Sequence, residues 1–327
     1  MEAQKEPHPN YLPYAPHQEL SVACNDEIDL RKLFLILWKG KWVIVITTLI
    51  FSMGAIFYAL SLPNIYKADA LLASAESGNS GGLSKISGQL GGLASLAGVN
   101  LSGNESSKAT LALQVIKSRQ FIEAFINKHN LLVPIMAATS WDLASNKLLL
   151  DEDLYNAKSQ QWLREPRGLR GATPTTQEAV EVFKKDILKV SQDKDSGLYT
   201  ISVEFYSPYL AQQWVNWLIE DINKVMRERT ITETSQNLAY LETQLNKTAV
   251  ADMQSTFYRL IEDQTQSLML AEVQKEFVFK IIDPAVVPEL KSGPKRVLIC
   301  VLGTLLGIIF SIAVILIYFS FRKKDQV

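Results

Sequence analysis

The sequence predicts an α+β fold: two transmembrane helices flanking an outer α/β base domain from which one long helix projects. Three observations predict it. Two apolar stretches without a charge stand near the ends of the 327-residue chain. Three short segments between them alternate like strands or are rich in β-branched and aromatic residues. Between Pro208 and Asp283 there is neither glycine nor proline, which leaves room for a very long helix.

The first apolar stretch, residues 43–62, has twenty uncharged residues, and the second, residues 297–321, has twenty-five. About twenty apolar residues cross the hydrocarbon core of a bilayer as a helix. The first stretch is too long, and too far from the start, for a cleaved signal peptide. The flanking charges give an orientation. Arg31, Lys32, Lys39 and Lys41 precede the first span, and Arg322, Lys323 and Lys324 follow the second. Lys67, Lys291, Lys295 and Arg296 stand on the other side, so both ends are expected inside. Trp38 and Trp42, and Tyr318, Phe319 and Phe321, suit aromatic belts. The chain then divides into an inner tail (1–42), a first span (43–62), an outer domain (63–296), a second span (297–321) and a short tail (322–327). The inner tail reads as disordered to about Asn25, then as an amphipathic surface helix over residues 26–38.

Composition narrows the function. The chain has 33 basic and 34 acidic residues and a net charge of −1, which gives no support to nucleic-acid binding. Two cysteines cannot form a disulfide framework or a four-ligand zinc site. Mean hydropathy is only +0.05, an average that conceals the two spans.

Within the outer domain, residues 66–75 read as a strand. Residues 78–103 hold eight of the sixteen glycines and contain no phosphate-binding motif, so they read as a loop. Residues 111–132 show helical spacing, and 141–164 reads as short helical pieces. Thr175 and Glu178 form a capping box for a helix running to about Val190. A turn follows at 191–197, then a strand at 198–205. The long helix is expected over about 208–275, roughly 100 Å if unbroken. Its stretch from 230 to 267 is rich in Thr, Gln, Ser and Asn, which admits a break near 230 or 250. Residues 277–282 read as a third strand, expected to share one sheet with the other two.

No catalytic constellation emerges. His129 is the one histidine of the outer domain and reads as a surface or capping residue. The pairs Glu220/Asp221 and Asp151/Asp153 read as solvated helix faces. No catalytic residue, cofactor site or metal site is expected. Gly303 and Gly307 form a GxxxG, and Ala55 and Ala59 a small-xxx-small spacing, both suited to close helix packing in lipid. Pro284, Pro288 and Pro294, ahead of Arg296, make a stiff connection from sheet to second span.

Three segments carry a resemblance. They are DEIDLRKLFLILWKGKW (26–42), LYTISVEFYSPYLAQQWVNWLI (198–219) and FKIIDPAVVPELKSGPKR (279–296), set between two terminal spans. Together they resemble the polysaccharide co-polymerases, the Wzz-type chain-length determinant proteins. Ser207-Pro208 stands where that family is expected to have Asp-Pro. The resemblance implies a Gram-negative inner-membrane protein, termini cytoplasmic and bulk periplasmic. It implies a ring-like homo-oligomer that sets the length of a surface polysaccharide, usually O-antigen. Its implied partners are further copies of itself, a separate inner-membrane polymerase, lipid-linked polysaccharide and membrane lipid, with no nucleic acid. Such proteins are not enzymes. Two other readings stand beside this one: a co-polymerase for capsule or exopolysaccharide export, and a two-span sensor, which the six-residue C-terminal tail disfavours.

Overall fold

The computed structural model describes residue 38 and residues 40–75, 105–248 and 250–324. The expected amphipathic helix at 26–38 (but for Trp38), the glycine-rich loop and the end of the C-terminal tail lie outside the described residues. The chain forms two compact units, one built from residues up to Gly54 and from Val301 onward, the other from Ala55 to Cys300.

Helix α1 (Lys41–Ser61) and the last helix of the chain are the two that are long and apolar enough to cross a membrane among the described residues. Strand β1 (Tyr66–Ser74) follows α1 after four residues. Two helices, α2 (Glu105–Ile116) and α3 (Arg119–Lys128), replace the single one expected over 111–132. The break falls where the Ser118 Oγ accepts from the Phe121 N–H at 3.2 Å and starts a new helix.

Helix α4 (Leu132–Ala137) leads into two hairpins: β2 (Ala138–Asp142) with β3 (Lys147–Leu150), and β4 (Tyr155–Asn156) with β5 (Gln161–Trp162). Here the expectation of helical pieces over 141–164 fails. The turns decide it. The Asp142 carboxylate accepts from the backbone N–H of Ala144 and Ser145, and Asn146 sits at φ 52°. Asn156 accepts from Lys158 and Ser159, with Gln160 at φ 52°. Side chains that offer the backbone local bonds compete with helix.

Helix α5 (Thr176–Val182) begins at the capping box read from the sequence: Thr175 Oγ1 accepts from the Glu178 N–H, and Glu178 Oε1 accepts from the Thr175 N–H. It passes through a π-helical turn (Phe183–Ile187) that buries both Phe183 and Ile187. Strand β6 (Leu188–Gln192) then takes residues expected to be helix and turn. The pairing explains it: Leu188 lies opposite Val203 and Val190 opposite Ile201, covering an otherwise open edge of β7 (Tyr199–Phe205). The hairpin closes at Gly197, whose φ of 70° is costly for any residue with a Cβ.

Helix α6 (Pro208–Lys247) starts at Ser207, whose hydroxyl accepts from the Leu210 N–H, and carries Pro208 in its first turn. It stops at Thr248. Helix α7 (Ala251–Val273) packs back along it. The helical stretch is therefore two helices, divided at one of the two places where the sequence admits a break. Strand β8 (Phe279–Asp283) and helix α8 (Arg296–Lys324) complete the chain.

The three expected strands do share one sheet, antiparallel throughout, in the order β6-β7-β1-β8. One face buries Ala68, Ala70, Leu72, Ile201 and Val203 beneath Trp214, Leu218 and Ile222 of α6. Phe125, Phe183 and Phe205 fill the space around Trp214, with ring centroids of Phe205 and Trp214 4.4 Å apart.

Candidate functional site

The candidate site is the junction where the sheet domain is tied to the C-terminal end of α1 and the N-terminal end of α8. Residues 62–65 leave α1 beside residues 292–296, which enter α8. The Ile65 N–H donates to the Gly293 carbonyl at 2.9 Å, and the Ile65 carbonyl accepts from Ser292 and Gly293. Arg296 Nη2 donates to the Leu62 carbonyl and to Asn64 Oδ1, both at 3.1 Å. The two segments are thereby stitched by backbone bonds and one guanidinium.

The proline-rich run is held at its other end too. Ala285 is buried, and its carbonyl accepts from Gln212 Nε2 at 2.9 Å. Pro284 is exposed, whereas Pro288, Pro294 and Arg296 are half-buried. Three of the twelve residues between β8 and α8 are prolines, each with its φ fixed.

In the unit formed by the helical spans, Gly307 is buried. A Cβ added there would lie 2.7 Å from the Phe51 Cβ and 3.4 Å from the Thr48 Cα, so only glycine permits this approach of α8 to α1. Phe51 and Phe310 pack with centroids 5.5 Å apart. Gly303 is half-buried in the same unit. Ala55 and Ala59 belong to the other unit, where Ala59 is buried and Ala55 half-buried.

Two side-chain groups hold the base of α6, and a third braces the start of α5. Asn223 is buried: its Oδ1 accepts from the N–H groups of Val278 and Phe279, and its Nδ2 donates to the Phe279 carbonyl at 3.0 Å. Asp221 was expected on a solvated face but is buried, bonded to His129 Nε2 at 2.9 Å and to Lys128 Nζ. His129 stacks on Trp217 with centroids 4.1 Å apart, so it packs against α6 besides closing α3. The signal was available: Asp221 and Asn223 continue the spacing of Trp214, Leu218, Val215 and Ile219. Third, Arg164 grips Glu178 through both nitrogens at 2.8 and 3.2 Å. That grip, aided by the Thr175 N–H and the nearby Arg170 charge, outweighs desolvation and lowers the Glu178 carboxyl to about 2.

Among the described residues no group of three His, Cys, Asp or Glu side chains is placed to hold a metal ion. What the arrangement offers is mechanical: a clamped junction, a proline-rich connector and a helix pair in close approach.

Residues 26–129 match the family model described as "Chain length determinant protein", and residues 243–318 match that described as "G-rich domain on putative tyrosine kinase". No curated protein matches the chain. Among solved structures, one titled "full-length bacterial polysaccharide co-polymerase" is similar at 14% identity and a TM-score of 0.37, covering 90% of this chain and 99% of its own. A fragment of WzzB, a polysaccharide co-polymerase from Salmonella Typhimurium, is similar at 12% identity and a TM-score of 0.23, covering 70% of this chain and 100% of its own. The N-terminal part of the chain is thus similar to a chain length determinant model and its C-terminal part to a G-rich domain model.

Proposed function

We propose that this protein is an oligomeric regulator of surface-polysaccharide chain length in a Gram-negative inner membrane. Its substrate pathway is O-antigen, extended by a separate polymerase from lipid-linked precursors. Both termini are cytoplasmic and the sheet domain with its helical hairpin is periplasmic. The protein acts by binding and geometry, not by bond-making. The observation that carries this reading is the match of residues 26–129, which include the first candidate span, to the chain length determinant model, in a chain with a second candidate span near its other end. The clamped junction supports it by tying the outer domain to the start of α8.

The test is polymer length in strains whose only copy carries Gly303→Val, Gly307→Val, Pro288→Ala or Pro294→Ala. The expected result is a shifted modal length with the protein still present and folded. Unchanged length in all four strains would remove the junction and the helix pair from the mechanism.

A second reading is favoured by one observation. The match over residues 243–318 is to a domain described as lying on a putative tyrosine kinase, which supports a co-polymerase for capsule or exopolysaccharide export. Assaying those polymers in the same strains separates the two.

A further inference from the structure

We propose that the end of the sheet domain nearest the spans rests on the outer lipid surface, with the β2–β3 hairpin entering the headgroup layer at Leu143. The inference rests on the reading of α1 and α8 as membrane spans.

Tyr66 lies five residues beyond the end of α1, within about 18 Å of it even for fully extended chain. The Trp141 ring meets Tyr66 edge-on at 5.8 Å and Tyr209 at 6.1 Å. This ties the tip of the β2–β3 hairpin to the start of β1 and the start of α6. The indole N–H donates to Asn146 Oδ1 at 3.0 Å, across the turn of the hairpin. Apolar side chains nevertheless stay uncovered here: Leu143 is 77% exposed, Leu290 85% and Tyr209 51%. Trp and Tyr rings with one polar edge are the side chains that settle at a membrane–water boundary.

The charge selects the occupant. Beside these residues in sequence or strand pairing stand five cations, Lys67, Lys147, Lys291, Lys295 and Arg296, against three carboxylates, Asp142, Glu289 and Glu204, the last opposite Lys67. Asp142 is held by the Ser145 hydroxyl and by the backbone N–H groups of Ala144 and Ser145, which favour its ionised form, so its charge counts against the cations. A surplus of cations among exposed apolar groups suits lipid phosphates and repels a second identical surface. It also accounts for Lys295 and Arg296, which stand on the side of the second span where topology disfavours positive charge.

The test uses the full chain with Cys24 and Cys300 replaced by Ser, and one new cysteine carrying an environment-sensitive fluorophore. The sites are Leu143→Cys, Phe57→Cys on α1 as positive control, and Val250→Cys in the α6–α7 turn as negative control. The protein is placed in vesicles of phosphatidylethanolamine and phosphatidylglycerol that contain doxyl-labelled phosphatidylcholine. The expected result is loss of fluorescence at Leu143, smaller than at Phe57, with none at Val250. Quenching at Phe57 alone would overturn the proposal while leaving the spans intact. A blue-shifted but unquenched Leu143 label would overturn it in favour of a protein partner, such as a second copy. No quenching even at Phe57 would overturn the membrane reading and this proposal with it.

Discussion

Helix α6 runs unbroken from Pro208 to Lys247, yet its two halves meet different surroundings. In residues 208–226 ten side chains are buried, Trp214, Leu218 and Ile222 among them; in residues 227–247 the one buried side chain is Thr234. The first half is fixed by the sheet, by the clasp of Asn223 on β8 and by the His129–Asp221–Lys128 cluster. The second half packs along α7, whose one buried residue among those described is Ala271. It makes do with local devices. Thr232, Ser235 and Thr243 return their hydroxyls to carbonyls four residues earlier, and Lys224–Glu228 and Arg229–Glu233 pair along the surface. Such pairs contribute a few tenths of a kcal/mol each. The comparison teaches that continuity of a helix is not uniformity of its stability. The base is a folded core, whereas the distal hairpin leaves apolar side chains such as Tyr240, Met253 and Tyr258 uncovered.

Mutations can break or sharpen this contrast. The largest effect is expected at Trp214, fully buried between Phe205 and Phe183. Trp214→Ala should cost about 4 kcal/mol of unfolding free energy, read by urea titration of the full chain in detergent micelles. A loss under 1 kcal/mol would mean that the base is not the core described. Asn223→Ala should cost about 3 kcal/mol, because the buried N–H groups of Val278 and Phe279 and the Phe279 carbonyl lose their partner together. Hydrogen exchange should also rise at Val278 and Phe279; unchanged exchange there would refute the clasp.

The Glu178 pair adds a pH-dependent contribution to the base. Its folded pKa of about 2 lies below the usual 4.5, so its stabilisation is present above pH 4.5 and fades as pH falls toward 2. Arg164 is partly in water, so the full conversion of the shift is discounted to about 2 kcal/mol. Glu178→Gln should lose that amount at neutral pH and flatten the acid limb of the stability profile. A parallel acid limb in the variant would assign the protons elsewhere. The smallest effect is expected in the distal hairpin: Tyr240→Ser should change unfolding by less than about 0.5 kcal/mol.

The base and the hairpin were also unequally legible in the sequence. The three strands, the start of α5 and the start of α6 followed from alternation, from the capping box at Thr175 and from Pro208, because each signal is local. Strand β6 was not legible, since residues 188–192 become strand only through pairing with β7, a contact the local pattern does not encode. Residues 141–164 misled for a related reason: their apolar spacing fits a helix, and the turns at Asp142 and Asn156 outweigh it. At the junction, Pro284, Pro288, Pro294 and Arg296 stood out by composition. Their anchors, Ile65 and Gln212, lie over seventy residues away or more in sequence and carry no mark of their own. Gly307 was visible as half of a GxxxG, but its partner Phe51 was not.

The central claim is that this chain governs polysaccharide length without making the polymer. The direct measurement is a gel separation of lipopolysaccharide from a strain lacking the gene, beside its parent and beside the strain with the gene restored. The account predicts that polymer is still made in the deletion strain, that its clustered length distribution is lost, and that the restored gene brings the cluster back. An unchanged ladder in the deletion strain would contradict the claim for O-antigen.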